Sequence, residues 1–163
     1  MKASHFSPDV RDFLFLLSLH KVRYLIVGGE AVIYYGFARL TGDVDFFFEP
    51  TPRNAQRLHR ALHEFWQGDV PGVQSPDELM APGVIIQFGV PPNRIDLVSS
   101  ITGVTFGEAW KYRTREKVKI KKRLCCIFFI GLDQLIKNKE AVGRHKDFED
   151  LKYLRAAAQK RAK

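Results

Sequence analysis

Residues 24–48 read YLIVGGEAVIYYGFARLTGDVDFFF, and the fold turns on how this stretch is parsed. Leu25-Ile26-Val27 is a short β-branched apolar run that stops at Gly28-Gly29. Glu30 to Tyr35 resumes as one or two apolar helical turns and ends at Gly36, a residue type suited to a helix C-terminus. After Arg39-Leu40-Thr41-Gly42 comes a second strand, Asp43-Val44-Asp45-Phe46-Phe47-Phe48. Alternate residues of a strand share a face, so Asp43 and Asp45 point one way while Val44 points into the core. Two carboxylates side by side repel, and a divalent cation between them relieves the repulsion.

A third aspartate follows in order. Arg94-Ile95-Asp96-Leu97-Val98 alternates like a strand and begins after the turn Pro91-Pro92-Asn93. A diglycine between strand and helix lets the backbone approach a polyphosphate without Cβ obstruction, and the N–H groups of the following helix face the anion. Three aspartates converging on two Mg²⁺ ions would orient an attacking hydroxyl and stabilise leaving pyrophosphate. An ordinary glycine turn and two loop-capping aspartates are the plainer reading of each part alone; the ordered combination favours catalysis.

Gly28-Gly29, a short helix, Asp43-x-Asp45 and then Asp96 resemble the nucleotidyltransferase superfamily of the DNA polymerase β type. The form Arg39-x-Thr41-x-Asp43-Val44-Asp45 is most similar to small bacterial nucleotidyltransferases of the abortive-infection toxin group. That resemblance implies an α+β nucleotidyltransferase fold: a mixed, mostly antiparallel sheet flanked by helices, with a C-terminal helical pair. It also implies that Asp43, Asp45 and Asp96 hold magnesium. Gly28, Gly29, Arg39 and Thr41 would lie at the nucleotide, with Arg39 and Thr41 equally able to brace their loop. Lys139, Arg144, Lys146 and Asp147 match the toxin group's lysine, basic turn and helix-starting aspartate. By that match Lys139 touches nucleotide phosphates and Asp147 orients the nucleotide or braces the site; otherwise Lys139 is solvated and Asp147 simply opens a helix. An NTP is the implied substrate, RNA or the tRNA acceptor end the implied acceptor, and an antitoxin protein a partner.

With 163 residues, 45% of them hydrophobic, the chain fits one compact domain, read as a catalytic core over 1–110 and a basic strand pair with helices over 111–163. No apolar run approaches a membrane span, and Met1 to Asp9 lacks a signal-peptide apolar region, which points to a cytoplasmic protein. Cys125 and Cys126 are adjacent, show no zinc spacing and suit the two faces of a strand. Residues 111–163 hold 17 Lys/Arg against 6 Asp/Glu, a net +11, while the other 110 residues carry −3. An enzyme that holds metal at one end and a polyanion at the other suits this division.

Elsewhere, Ser7-Pro8-Asp9 starts a helix that runs to about His20. Thr51-Pro52 starts another, in which Leu58, Ala61, Leu62 and Phe65 form the packing face and His59 and His63 make a solvated or interface pair. A polar connection over 67–82 contains one helical turn, and a hairpin of 84–88 with 94–98 carries Asp96. A short helix is expected over 104–112. Arg115, Lys117, Lys119 and Lys121 share a strand face, either as a nucleic-acid-tracking edge or as an edge kept from aggregating. The last helix places Phe148, Leu151, Leu154 and Ala158 on its apolar face.

Three rival functions share parts of these features. CCA-adding enzymes need helical domains for which 163 residues leave no room. Aminoglycoside-type or protein nucleotidyltransferases have the same core, but an acidic rather than basic surface suits a cationic drug. A dormant nucleic-acid-binding module has no physical reason to keep three repelling carboxylates together.

Overall fold

A computed structural model describes all of residues 1–163. The Ser7-Pro8 helix start forms as its residues dictate, whereas Thr51 at the start of the third helix makes no side-chain capping hydrogen bond. Helix α1 spans Pro8–Leu19, with the Ser7 hydroxyl accepting from Val10 N. Strand β1, Tyr24–Val27, is buried along its whole length. Helix α2, Gly28–Tyr34, begins directly on the diglycine, so the turn expected before the helix is made at its own first residue, Gly28, with φ 64°. Strand β2 is Asp43–Phe48 and helix α3 is Pro52–Phe65. A 3₁₀ turn over Pro76–Met80 interrupts the long connection before β3, Ile85–Phe88, and β4, Arg94–Val98. The chain closes with α4, Phe106–Lys111; β5, Thr114–Ile120; β6, Arg123–Phe129; α5, Leu132–Val142; and α6, His145–Arg161.

One six-stranded mixed sheet, in the order β3-β4-β2-β1-β6-β5, makes this an α+β protein. The pairs β1–β2, β3–β4 and β5–β6 are antiparallel; β1–β6 and β2–β4 are parallel. Val44, Phe46 and Phe48 supply one buried face of β2. The Phe13 ring of α1 meets Phe46 edge-on at 5.2 Å and Phe65 of α3 at 5.3 Å, so these two helices cover that face. On the opposite face Phe47 packs edge-on against Phe106 of α4. Asp43 and Asp45, at the start of the strand on that same face, are only half-buried.

Two expectations for the basic half are corrected. Lys121 does not continue the cationic face of β5. It sits in the β5–β6 turn with φ 49°, its ammonium 3.1 Å from Asp12 of α1 and 5.2 Å from the centre of the Phe15 ring. Arg115, Lys117 and Lys119 are exposed on β5, at the far edge of the sheet with β6 and β1 between them and β2. In α6, Phe148 is 58% exposed, and the buried stripe is Asp147, Asp150, Leu151 and Leu154. Two carboxylates take the places that an apolar face would fill, because the opposing surface of α5 carries a buried lysine.

Candidate active site

Parallel pairing of β2 and β4 sets Asp43 beside Arg94 and Asp45 beside Asp96. Asp43, Asp45 and Asp96 each offer an oxygen within 4.8 Å of the others. This converts two features far apart in sequence into one carboxylate cluster. Antiparallel pairing of β1 brings Val27 opposite Asp45, and the chain then turns into α2 immediately beneath it.

Glycine is required at that turn for two reasons. Gly28 has φ +64°, a left-handed backbone that favours glycine, and a Cβ there would collide with Asp45 Oδ2. At Gly29 a Cβ would come within 2.6 Å of Thr41 Oγ1 and 3.3 Å of Arg39 Nη2. The diglycine therefore makes room for the aspartate cluster and for its flanking loop. Thr41 donates to the Asp43 carbonyl at 3.1 Å and to Asp43 Oδ1 at 3.2 Å, so it braces the loop and orients the first carboxylate.

Burial, followed by repulsion from Asp43 and Asp96, pushes the Asp45 carboxyl up to about 7; Lys139 and Arg94 partly offset it. Arg94 reaches from β4 into the cluster. Its Nη2 donates to Asp43 Oδ2 at 2.7 Å and Asp96 Oδ2 at 3.0 Å, and its Nε donates to Asp96 Oδ1 at 2.8 Å. Gln87 of β3 adds a donor to Asp96 Oδ2 at 3.1 Å.

A second charged layer lies between the C-terminal helices and the loop before β2. Lys139 of α5 is buried, its Nζ 2.9 Å from both Asp147 Oδ1 and Asp150 Oδ2 of α6. Asp150 also engages Arg39, with Nε at 3.0 Å and Nη2 at 3.2 Å. Asp147 accepts from the Arg144 backbone N at 3.0 Å and from its Nε at 2.9 Å, closing the start of α6. Burial raises the Asp147 carboxyl, but the hydrogen bonds from Arg144 and Lys139 outweigh it and bring it down to about 2.

Between the two layers opens a cleft of about 460 Å³ with a single hydrophobic lining residue, Leu40. Gly28, Gly29, Arg39, Thr41, Asp43, Asp45, Asp96 and Lys139, all expected from the sequence, line it together. Lys139 reaches it already paired with two carboxylates rather than as a free cation. Asp147 stands behind Lys139 and is not among the lining groups, a bracing position. The four β5-side cations, Arg115, Lys117, Lys119 and Lys121, are not brought to it. Its cations are Arg39, Arg94, Lys139, Arg144 and Lys146, five against the three carboxylates. A larger cavity of about 670 Å³ lies between His59, His63 and the 68–74 loop.

Sequence reasoning missed Arg94 and Asp150. Arg94 was legible as the residue two before Asp96 on an alternating strand, hence on the same face. Asp150 was legible only as one helical turn beyond Asp147, a spacing that a solvated acid shares. No protein-family model matches the chain, and no curated protein matches it.

Proposed function

We propose that the chain is a magnesium-dependent nucleotidyltransferase of the DNA polymerase β type, similar to the abortive-infection toxin group, that transfers a nucleoside monophosphate from an NTP to RNA. The observation that carries this reading is the cluster of Asp43, Asp45 and Asp96 in a cleft whose rim is cationic. The donor set fits a hard divalent cation: three carboxylates, oxygen ligands only, with the Asp45 carboxyl pushed up to about 7 by burial and then by repulsion from Asp43 and Asp96.

Asp43, Asp45 and Asp96 would hold up to two magnesium ions, which supply charge neutralisation of the transferring phosphoryl group and polarise the attacking hydroxyl. Arg39, Arg144 and Lys146 bind the triphosphate and hold the departing pyrophosphate by charge. An acceptor hydroxyl oxygen bonds to the α-phosphorus, the bond from that phosphorus to the bridging oxygen breaks, and pyrophosphate leaves with the bond's electron pair. Asp96 takes the hydroxyl proton on a carboxylate oxygen. Thr41 keeps Asp43 oriented, and the Asp147–Lys139–Asp150 layer holds α5 and α6 against the cleft.

Arg94 is paired with Asp43 and Asp96, and Arg39, Lys139 and Arg144 are paired with Asp147 and Asp150, which leaves Lys146 as the lining cation without a carboxylate partner. With the net +8 of the chain it suits a polyanionic acceptor better than a cationic drug. RNA, including the tRNA acceptor end, is accordingly the acceptor class, and an antitoxin protein would be the partner if the chain acts as a toxin. Incubation of the protein with each α-labelled NTP, magnesium and total RNA, beside an Asp43→Ala/Asp45→Ala variant, tests the reading. Label on a discrete RNA band that disappears with the variant is the expected result. Label on protein instead makes the acceptor a protein. No transfer to either, with RNA binding intact, leaves a binding module and ends the enzymatic reading.

A further inference from the structure

The guanidinium of Arg94 occupies the position of a counter-ion inside the aspartate cluster. It draws on Asp43 Oδ2 and on both oxygens of Asp96, and Gln87 takes a further share of Asp96 Oδ2. The placement is built into the backbone. Arg94 is the register partner of Asp43 across β2 and β4, and lies two residues before Asp96 on the same strand, so its side chain emerges on the face that carries both acids. Asp96 itself is 5% exposed. A carboxylate that buried needs a cation or strong donors on its oxygens to replace lost water. Arg94 is that cation.

A divalent ion and this guanidinium compete for the same oxygens. Both are positive, so they also repel one another at contact distance. We infer that Arg94 is a displaceable internal counter-ion: it holds the carboxylate cluster assembled without metal, is expelled when a divalent cation binds, and then serves the cleft as a phosphate ligand. This rests on the reading of the cluster as a metal site. The side chain is 28% exposed and lines the cleft, so a route outward exists on the open side of the sheet. Once released, the guanidinium keeps its charge and its paired donors at the mouth of a site meant for phosphate, where planar bidentate recognition suits it. Metal binding and polyphosphate binding are thereby coupled through one side chain, and the coupling is reciprocal.

The test uses the full chain and two probes, Mn²⁺ alone and inorganic tripolyphosphate in the presence of Mn²⁺. Manganese binding is read by electron paramagnetic resonance and tripolyphosphate binding by calorimetry. The proteins are the wild type, Arg94→Gln, Arg94→Lys and Asp45→Asn. Arg94→Gln is expected to bind Mn²⁺ about tenfold more tightly than wild type, because no charge-assisted hydrogen bonds need to be broken first, and to bind tripolyphosphate about tenfold more weakly. Arg94→Lys keeps the charge, loses the fork and falls between the two, which separates competition from misfolding. Unchanged or weaker Mn²⁺ binding by Arg94→Gln, with wild-type binding lost in Asp45→Asn, overturns the counter-ion role while leaving the metal site standing. Unchanged tripolyphosphate affinity overturns the phosphate role. Absence of Mn²⁺ binding in every protein removes the metal reading and this inference with it.

Discussion

Lys139 and Asp150 form a buried ion pair, Nζ to Oδ2 at 2.9 Å, that ties α5 to α6; through Asp150 it also reaches Arg39 on the loop before β2. Neither partner has water to replace the other, since Lys139 is 3% and Asp150 2% exposed. Such a pair is expensive to break from one side, because the remaining charge stays desolvated. It is also the joint by which the C-terminal helices are held against the aspartate layer.

Replacement of Asp150 by Asn is expected to cost about 1–3 kcal/mol of stability, below the figure for an isolated buried pair because Lys139 keeps Asp147 at 2.9 Å. It also removes the carboxylate that positions Arg39 at the cleft, and the KM for nucleotide rises. Urea unfolding of Asp150→Asn beside Arg155→Gln checks this, because Arg155 makes an exposed pair with Glu140 whose loss costs under about 1 kcal/mol. Equal losses in the two variants would show that the buried joint carries no special energy.

Gly28→Ala is expected to abolish transfer and to destabilise the fold by more than the ~1–2 kcal/mol of a left-handed alanine, since its Cβ overlaps Asp45. Gly72→Ala isolates the backbone contribution: φ there is +73° and nothing lies within 4 Å of an added Cβ. If both variants unfold at the same urea concentration, the close approach of Gly28 to Asp45 has no energetic weight.

The Asp45 carboxyl, pushed up to about 7 from an ordinary 3.8, gives metal-free protein a defined pH response. Between those values the folded chain keeps a proton that the unfolded chain has released, so stability falls as pH rises from about 4 through 7. Asp147 has the opposite sign. Its carboxyl is brought down to about 2, so the stability it adds is present above 3.8 and is lost as pH falls through about 2. Unfolding measured across this range for wild type, Asp45→Asn and Asp147→Asn should show the neutral limb flattened in the first variant and the acid limb in the second. A neutral limb unaltered by Asp45→Asn would mean that the burial and repulsion acting on Asp45 are relieved in some other way.

The cations at the cleft and those at the far sheet edge should separate in RNA binding. Arg144→Gln/Lys146→Gln is expected to lower the slope of log affinity against log salt by about one to two, as for loss of one or two phosphate contacts. Arg115→Gln/Lys117→Gln/Lys119→Gln leaves NTP binding unchanged, because those side chains lie on β5, across β6 and β1 from the aspartate strand. A loss of NTP binding in the triple variant would contradict that separation.

By itself, the sequence determined the parts that short-range physics controls. Alternation along a strand put Asp43 and Asp45 on one face. The Ser7-Pro8 start, the run that stops at Gly28 and the alternation over 115–120 each became the expected kind of element, because period and capping act within a few residues. Tertiary structure alone decided which of these parts meet. Register between β2 and β4 set Asp45 against Asp96 and slid Arg94 between the acids. Packing of α5 on α6 turned Asp150 inward and Phe148 outward, against the apolar reading of that helix. The buried Lys139 of α5 is satisfied by the two carboxylates facing it, and helical periodicity alone does not say which face will meet it. The tight β5–β6 turn likewise swung Lys121 onto α1, a consequence of backbone left-handedness and a contact over 100 residues away in sequence.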